Sequence, residues 1–289
     1  MILTYFIHLL ILIGIYFLVA ISLNLVMGYS GLLNLGHIAF FGIGAYTSAL
    51  LTFNGIPFLL SFLISGVIAS IFGIILVYGT RKIKGDYFAL VTLGFAFVIY
   101  SLLINLNFTR GPLGISAIPK PEILGISLSS GLSYLIFVLI ICVLSYLFIK
   151  KILKSSLGKM FEALRENELY LRILGKNSSK LKYYSMGIGA FFAGLAGSLF
   201  AHYLSYINPS NFYIEPLILI ITMVILGGLA SINGTFLGVL IIILIPEFLK
   251  LFNLPVSVLG PMRQIFYALI LIIILWFKPK GIFGRVNLK

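Results

Sequence analysis

Residues 5–27, YFIHLLILIGIYFLVAISLNLVM, decide the fold class. They carry no Asp, Glu, Lys or Arg, and about 20 apolar residues suffice to take a helix across the hydrocarbon core of a bilayer. The same absence of charge runs from Met1 to Thr80, which leaves room for three crossings before the first basic residue. Over the 289 residues, 61% are hydrophobic and 9% are charged, whereas a soluble domain carries roughly a quarter of its residues as charges. Water is therefore not the main solvent of this chain. The N-terminal stretch lacks the basic leader and small-residue cleavage site of a secretory signal, so it reads as a retained first span.

A net charge of +13 raises the question of nucleic acid, and the placement of the basic residues answers it. Sixteen of the twenty Lys and Arg sit in three blocks: Arg81, Lys82 and Lys84; nine between Lys150 and Lys182; and Lys278, Lys280, Arg285 and Lys289. Basic residues concentrated in short segments beside spans mark the cytoplasmic side. The charge reports topology, and no nucleic-acid partner is expected.

Uncharged stretches between the blocks fall near 5–27, 33–53, 57–79, 87–107, 132–149, 183–206, 214–231, 235–250 and 259–277. The expected fold is all-α, a polytopic transmembrane helical bundle of about 8–10 spans forming one domain over residues 1–289. Two spans separate the first basic block from the second and four separate the second from the C-terminus. Both numbers are even, as a shared cytoplasmic side requires, and the C-terminus is expected there. Three spans before Arg81 would put the N-terminus outside. A re-entrant or broken 28–53 segment would put it inside, and the sequence leaves both open. Arg263 and Lys278 bracket too short an apolar run, so the last span must begin before Arg263, whose side chain is expected to snorkel.

Small residues recur every four positions at Gly189, Ala193, Gly197 and Ala201, beside a second row at Ala190, Gly194 and Ser198. In lipid, small residues let helix backbones approach closely, so this span is expected inside the bundle. Two Gly-rich interruptions, Gly28 to Gly44 and Gly227 to Gly238, fall in the two halves of the chain. Paired broken segments are a pointer to a transport site, and helix packing is the other use of such glycines. Asn34 and His37 lie in the first interruption and Thr47 just beyond it; interhelical hydrogen bonds and a place along a solute pathway are the two readings of these polar groups.

The single Cys142 permits no intramolecular disulfide and reads as a buried thiol. His8, His37 and His202 are too scattered to hold a metal, and the chain has no Gly-rich phosphate loop. No nucleophile–base pair stands out, so an enzyme is not expected and no cofactor is implied.

The cytoplasmic segment 150–182 is polar enough to leave the bilayer, yet Glu162 to Gly175 (EALRENELYLRILG) has helical character. Phe161, Leu164, Leu171 and Leu174 form an apolar stripe, Glu168 and Arg172 pair at i,i+4, and Gly175 suits a helix terminus. Such a helix needs a surface to cover, either a partner protein or the headgroup layer.

These residues carry a family likeness. Residues 28–47, GYSGLLNLGHIAFFGIGAYT, resemble the N-terminal signature of the LivM-type permeases of branched-chain amino acid ABC importers. Lys84-Gly85-Asp86-Tyr87-Phe88-Ala89 resembles a later segment of that family with Lys in place of its usual Arg, and Thr109-Arg110-Gly111-Pro112-Leu113-Gly114 resembles its Thr-Gly-Gly turn with Arg110 a departure. Leu226-Gly227-Gly228-Leu229-Ala230-Ser231 is similar to its late Gly-Gly segment, and Ala163-Leu164-Arg165-Glu166-Asn167-Glu168 to its coupling loop.

The resemblance implies a non-enzymatic permease subunit in the plasma membrane that imports branched-chain or other hydrophobic amino acids. Its implied partners are a second, homologous permease subunit, two cytoplasmic ATP-binding subunits and an extracytoplasmic amino-acid-binding protein. Glu162, Ala163, Arg165, Glu166, Asn167 and Gly175 are then the residues expected to couple to the ATPase, and Asn34, His37 and Thr47 those expected along the pathway. The competing reading, an ion-coupled secondary transporter, calls for an ionisable carboxylate deep in a span, and none of the acidic residues is clearly central.

Overall fold

A computed structural model describes residues 2–83, 85–123, 126–250, 256–278 and 280–284. Lys84, the 251–255 part of the link before the last helix, and the terminal Arg285 and Lys289 lie outside the described residues.

The described chain is almost wholly helical. In order come α1 (Ile2–Asn24), continued by a π turn (Leu25–Tyr29), α2 (His37–Phe53), α3 (Phe58–Thr80), α4 (Asp86–Asn105), α5 (Gly131–Lys154), α6 (Ser156–Glu166) and α7 (Glu168–Ile173). Then follow α8 (Ser178–Leu204), α9 (Ile214–Gly227), α10 (Ile232–Lys250) and α11 (Val256–Phe277). Six helical segments are long and apolar enough to cross a membrane, and His37–Phe53, Ile232–Glu247 and Gly260–Ile274 are shorter apolar helices. The nine expected spans are all present as helices, three of them short. As the basic bracket required, α11 begins before Arg263.

The central helix is α8. Of its most apolar window 83% is buried, against 33% for α4 and α5, so the small-residue rows do place it inside. One row faces α1 and α2: Gly189 packs on Val26 and Ser22, and a Cβ on Gly197 would sit 2.0 Å from the Phe41 carbonyl oxygen, so only glycine permits that approach. The other row faces α3, where Gly194 packs on Ala69 and Ser65. On another side of α1, the Cys142 thiol of α5 is buried and donates to the Gly14 carbonyl at 3.2 Å.

A two-residue antiparallel ribbon pairs Ile115 with Ile207 and Ser116 with Tyr206, strapping the α4–α5 link to the end of α8. His202 fastens the same region through Nε2 to Ser48 and Nδ1 to the Pro119 carbonyl oxygen, each at 2.9 Å. His8 near the start of α1 meets Tyr203 at 2.6 Å, so the N-terminus lies at this end of the bundle.

The basic blocks gather at the other end. Arg81 and Lys82 share a depression with Arg172 and Lys176, and residues 282–283 bond back to Leu226 and Gly227 at 3.0 and 3.1 Å. The 28–53 segment is broken at 25–36 but α2 still runs away from the basic end. The first helix therefore starts at the end opposite the basic blocks, and α1, α2 and α3 run three lengths of the bundle before Arg81.

Candidate functional site

At the basic end, α6 and α7 form an elbow. Ser155 starts α6 by accepting the Leu157 amide on its hydroxyl at 3.2 Å. Asn167 then leaves helical geometry at φ −159°, ψ 105° and caps α7, its Oδ1 accepting from the Leu169 and Tyr170 amides at 2.9 and 3.3 Å. Short polar side chains favour such caps over helix interiors, and this is why the single helix expected over 162–175 is two. Gly175, at φ +72°, closes α7 in the left-handed region, with the Lys176 amide donating to the Leu171 carbonyl at 3.0 Å.

The break changes which residues face the bundle. Phe161, Leu164 and Leu171 are buried against Leu181 of α8, but Leu174, expected in the same stripe, is 73% exposed. Once Asn167 interrupts the helix, the 3.6-residue register of α6 no longer carries into α7. Leu174 instead joins Leu169, Tyr170 and Ile173 in an exposed apolar patch.

Two polar anchors hold the elbow. Glu168 accepts from Arg172 at 2.6 Å, Ser178 at 2.9 Å and the buried Lys182 at 3.0 Å. Partial burial alone would raise its pKa, but the hydrogen bonds from Lys182 and Ser178, with the Lys182 charge, outweigh it and hold the carboxyl below the usual carboxylate value. Arg165 donates from Nη1 to the Gly28 carbonyl at 3.0 Å and lies over Gly31, where any Cβ would meet it at 2.7 Å. Of the other expected coupling residues, Glu162 and Ala163 are half-buried, while Glu166, Asn167 and Gly175 are exposed.

Gly28 and Gly31 belong to the break after α1, and this break touches the second one. Asn24 Oδ1 accepts the Ala230 amide at 2.9 Å, while its Nδ2 donates to the Ser231 carbonyl at 3.1 Å and to Thr235 Oγ1. Gly228 and Ala230 both have positive φ, so the chain between α9 and α10 exposes polar backbone that Asn24 satisfies. Sequence reasoning missed Asn24. Its signal was an amide with full hydrogen-bonding capacity inside an otherwise apolar span.

Asn34, in the break, and His37, at the start of α2, are fully buried. Asn34 Nδ2 lies 3.1 Å from His37 Nδ1, His37 Nε2 lies 2.8 Å from Ser22 Oγ, and Ser22 Oγ donates to the Val19 carbonyl. The network joins α1, the break and α2, and it assigns the His37 proton to Nε2. Asn34 Oδ1 also accepts the Gly36 amide, and Thr92 of α4 accepts the Leu35 amide. Thr47, half-buried, lies farther along α2 and is not part of this network. No group of His, Cys, Asp and Glu able to hold a metal occurs among the described residues.

The family described as "Branched-chain amino acid transport system / permease component" matches residues 5–275. The "High-affinity branched-chain amino acid transport system permease protein LivM" of Escherichia coli is 35% identical over 93% of this chain and 67% of its own length, and its namesake in Salmonella typhimurium is 34% identical over the same shares. The "Probable branched-chain amino acid transport permease protein LivM" of Methanocaldococcus jannaschii is 27% identical over 93% of this chain and 90% of its own. No solved structure matches. A multi-pass helical bundle, two breaks joined through Asn24 and a family match over nearly the whole chain lead to one assignment: this protein is a membrane permease of the branched-chain amino acid transport family.

Proposed function

We propose that the chain is the membrane-spanning half of an ATP-driven importer of branched-chain amino acids, with its basic end and C-terminus on the cytoplasmic side of the plasma membrane. The observation that carries this reading is the α7 patch: Leu169, Tyr170, Ile173 and Leu174 are 63–73% exposed on a short helix that Glu168 ties to α8. An exposed apolar surface held on a rigid support suits a protein partner. Glu162, Ala163, Arg165, Glu166, Asn167 and Gly175 shape that elbow, and a cytoplasmic ATP-binding subunit is the partner the family likeness supplies. The full assembly comprises a second permease subunit, two ATP-binding subunits and an extracytoplasmic amino-acid-binding protein.

Movement of α7 by a closing ATPase reaches the break after α1 through Arg165 and Gly28, and the second break through Asn24. Both breaks are backbone held by a few side-chain hydrogen bonds, which is where a packed bundle can switch between two arrangements. Asn34, His37 and Thr47 lie on the segment that such a switch would shift. None of the seven carboxylates is buried, and those on membrane helices, Asp86, Glu215 and Glu247, sit in the first or last turn of α4, α9 and α10 and not in the middle of a span, where a coupling ion would be carried. The test is leucine uptake by liposomes holding the chain with or without a second permease, the ATPases and the binding protein. Uptake that requires ATP and all partners supports the proposal, and uptake by the chain alone under an ion gradient overturns it.

A further inference from the structure

Two cavities line the seam between α3 and α8. One is an apolar groove of about 600 Å³ within the spans, walled by Phe62 and Ser70 of α3, Ser145 and Phe148 of α5, and Gly187 and Phe191 of α8. The other, of about 590 Å³, lies at the basic end of the same two helices. Arg81, Lys82, Arg172 and Lys176 line it together with Gly175 and Ser179, and no carboxylate does.

Exposed residues of α3 and α8 occupy the interval between the two cavities. On α8, Lys180 and Tyr184 precede Ile188 of the groove by two turns and one, so all three share a face, and both are exposed. On α3, Ile74 and Tyr78 are exposed between Ser70 and Arg81, and the Arg81 guanidinium sits 5.1 Å from the Tyr78 ring centre. Gly187 and Ser179 are separated by roughly 12 Å of helix, well within the reach of an acyl chain.

We infer that this seam is a binding site for one anionic phospholipid of the leaflet on the basic side. The phosphate sits among Arg81, Lys82 and Lys176, and an acyl chain follows Tyr78 and Tyr184 into the groove. Arg172 is partly committed to Glu168 and contributes field more than contact. Neither cavity alone specifies this occupant. Four cations in one depression suit any phosphate, and an apolar groove in a span suits any lipid, but a cationic pocket and an apolar groove about two helical turns apart on the same two helices match a ligand with both parts. The inference rests on the membrane-spanning fold and not on the transport reading, so either can fail without the other.

The site is tested by native mass spectrometry of the purified full chain in detergent, with dioleoyl-phosphatidylglycerol or dioleoyl-phosphatidylcholine added. Phosphatidylglycerol is expected to bind at least about tenfold more tightly, because each basic residue near the phosphate attracts its net negative charge. The triple variant R81Q/K82Q/K176Q should abolish that preference, and Ser70→Trp, which fills the groove, should weaken both lipids. The two variants are made separately, so misfolding of one leaves the other informative. Equal affinity for the two lipids, a preference that survives the triple variant, or unchanged binding in Ser70→Trp overturns the site. Binding of glycerol 3-phosphate or inorganic phosphate as tight as that of phosphatidylglycerol also overturns it, in favour of a soluble anion.

Discussion

Asn24 and Ala230 stand 206 positions apart, and a 2.9 Å hydrogen bond from the Ala230 amide to the Asn24 side-chain oxygen joins them. It connects the break after α1 with the break between α9 and α10, and Asn24 is fully buried where it does so. No other partner for the Ala230 amide is seen among the described residues, so the bond meets a need of the backbone as well as of the side chain.

Replacing Asn24 with Ala should leave that amide unpaired in an apolar setting and destabilise the folded protein by about 1–3 kcal/mol. Thermal unfolding in detergent measures this. If the bond also transmits motion between the breaks, uptake per folded molecule should fall while ATPase copurification stays intact, and normal uptake per folded molecule confines Asn24 to a structural role.

The α7 patch gives a second prediction, in which docking and stability separate. Tyr170→Asp combined with Leu174→Ser changes only exposed positions, so surface substitutions should cost no more than about 0.5 kcal/mol of stability. Copurification of the ATP-binding subunit should drop by at least about tenfold, as for residues at the centre of an interface. Glu166→Lys should also reduce it. By contrast Leu164→Ala, in the buried stripe, should lower the unfolding temperature, with a loss of about 2–5 kcal/mol. Undiminished copurification in the first two variants would sink the docking assignment.

Glu168 supplies a pH dependence with a definite sign. Its folded-state pKa lies below the ordinary value, despite the upward push of burial, because Lys182 and Ser178 bond the ionised form. The stabilisation is therefore present in full above the unfolded-state pKa and is lost as pH falls through the depressed folded value. Hydrogen exchange of the Leu171 and Lys176 amides should accelerate, after correction for intrinsic rates, on acidification through that window. In Glu168→Gln the elbow should be looser at neutral pH and this acid step should vanish; a step of unchanged size would assign it to another group.

His37→Ala removes the ring that lies between Ser22 and Asn34, so it should lower stability by about 1–3 kcal/mol through the polar groups left behind. Assembly with the partners should survive. Uptake per folded molecule should be slower if the α1–α2 break moves during transport, and an unchanged rate would reduce His37 to interhelical hydrogen bonding.

Much of the site was legible in the sequence, and the gaps have physical causes. Glu168 with Arg172 and the terminating Gly175 follow from helical spacing, and both are found as expected. The split at Asn167 was not foreseen, because an Asn within a helical pattern is tolerated or not according to what the following segment must pack against. Leu174 was misplaced for the same reason: a periodicity argument assumes one continuous axis, and the axis turns. Asn24 was overlooked because its partners are backbone groups of residues 228–231, and backbone donors leave no mark in the sequence.

The sequence by itself determined that the chain lives in lipid, that its basic segments are expected on one side and that α8 lies inside the bundle. Those properties depend on which residues are apolar, charged or small, and each acts through the solvent or through local spacing. Only the tertiary structure decided that the two breaks meet at Asn24, that Arg165 turns back to Gly28 and that Leu169, Tyr170, Ile173 and Leu174 face outward. These depend on how helices far apart in the chain come to lie side by side, which is set by the shape of their contacts and the need to pair every polar group in the bilayer core.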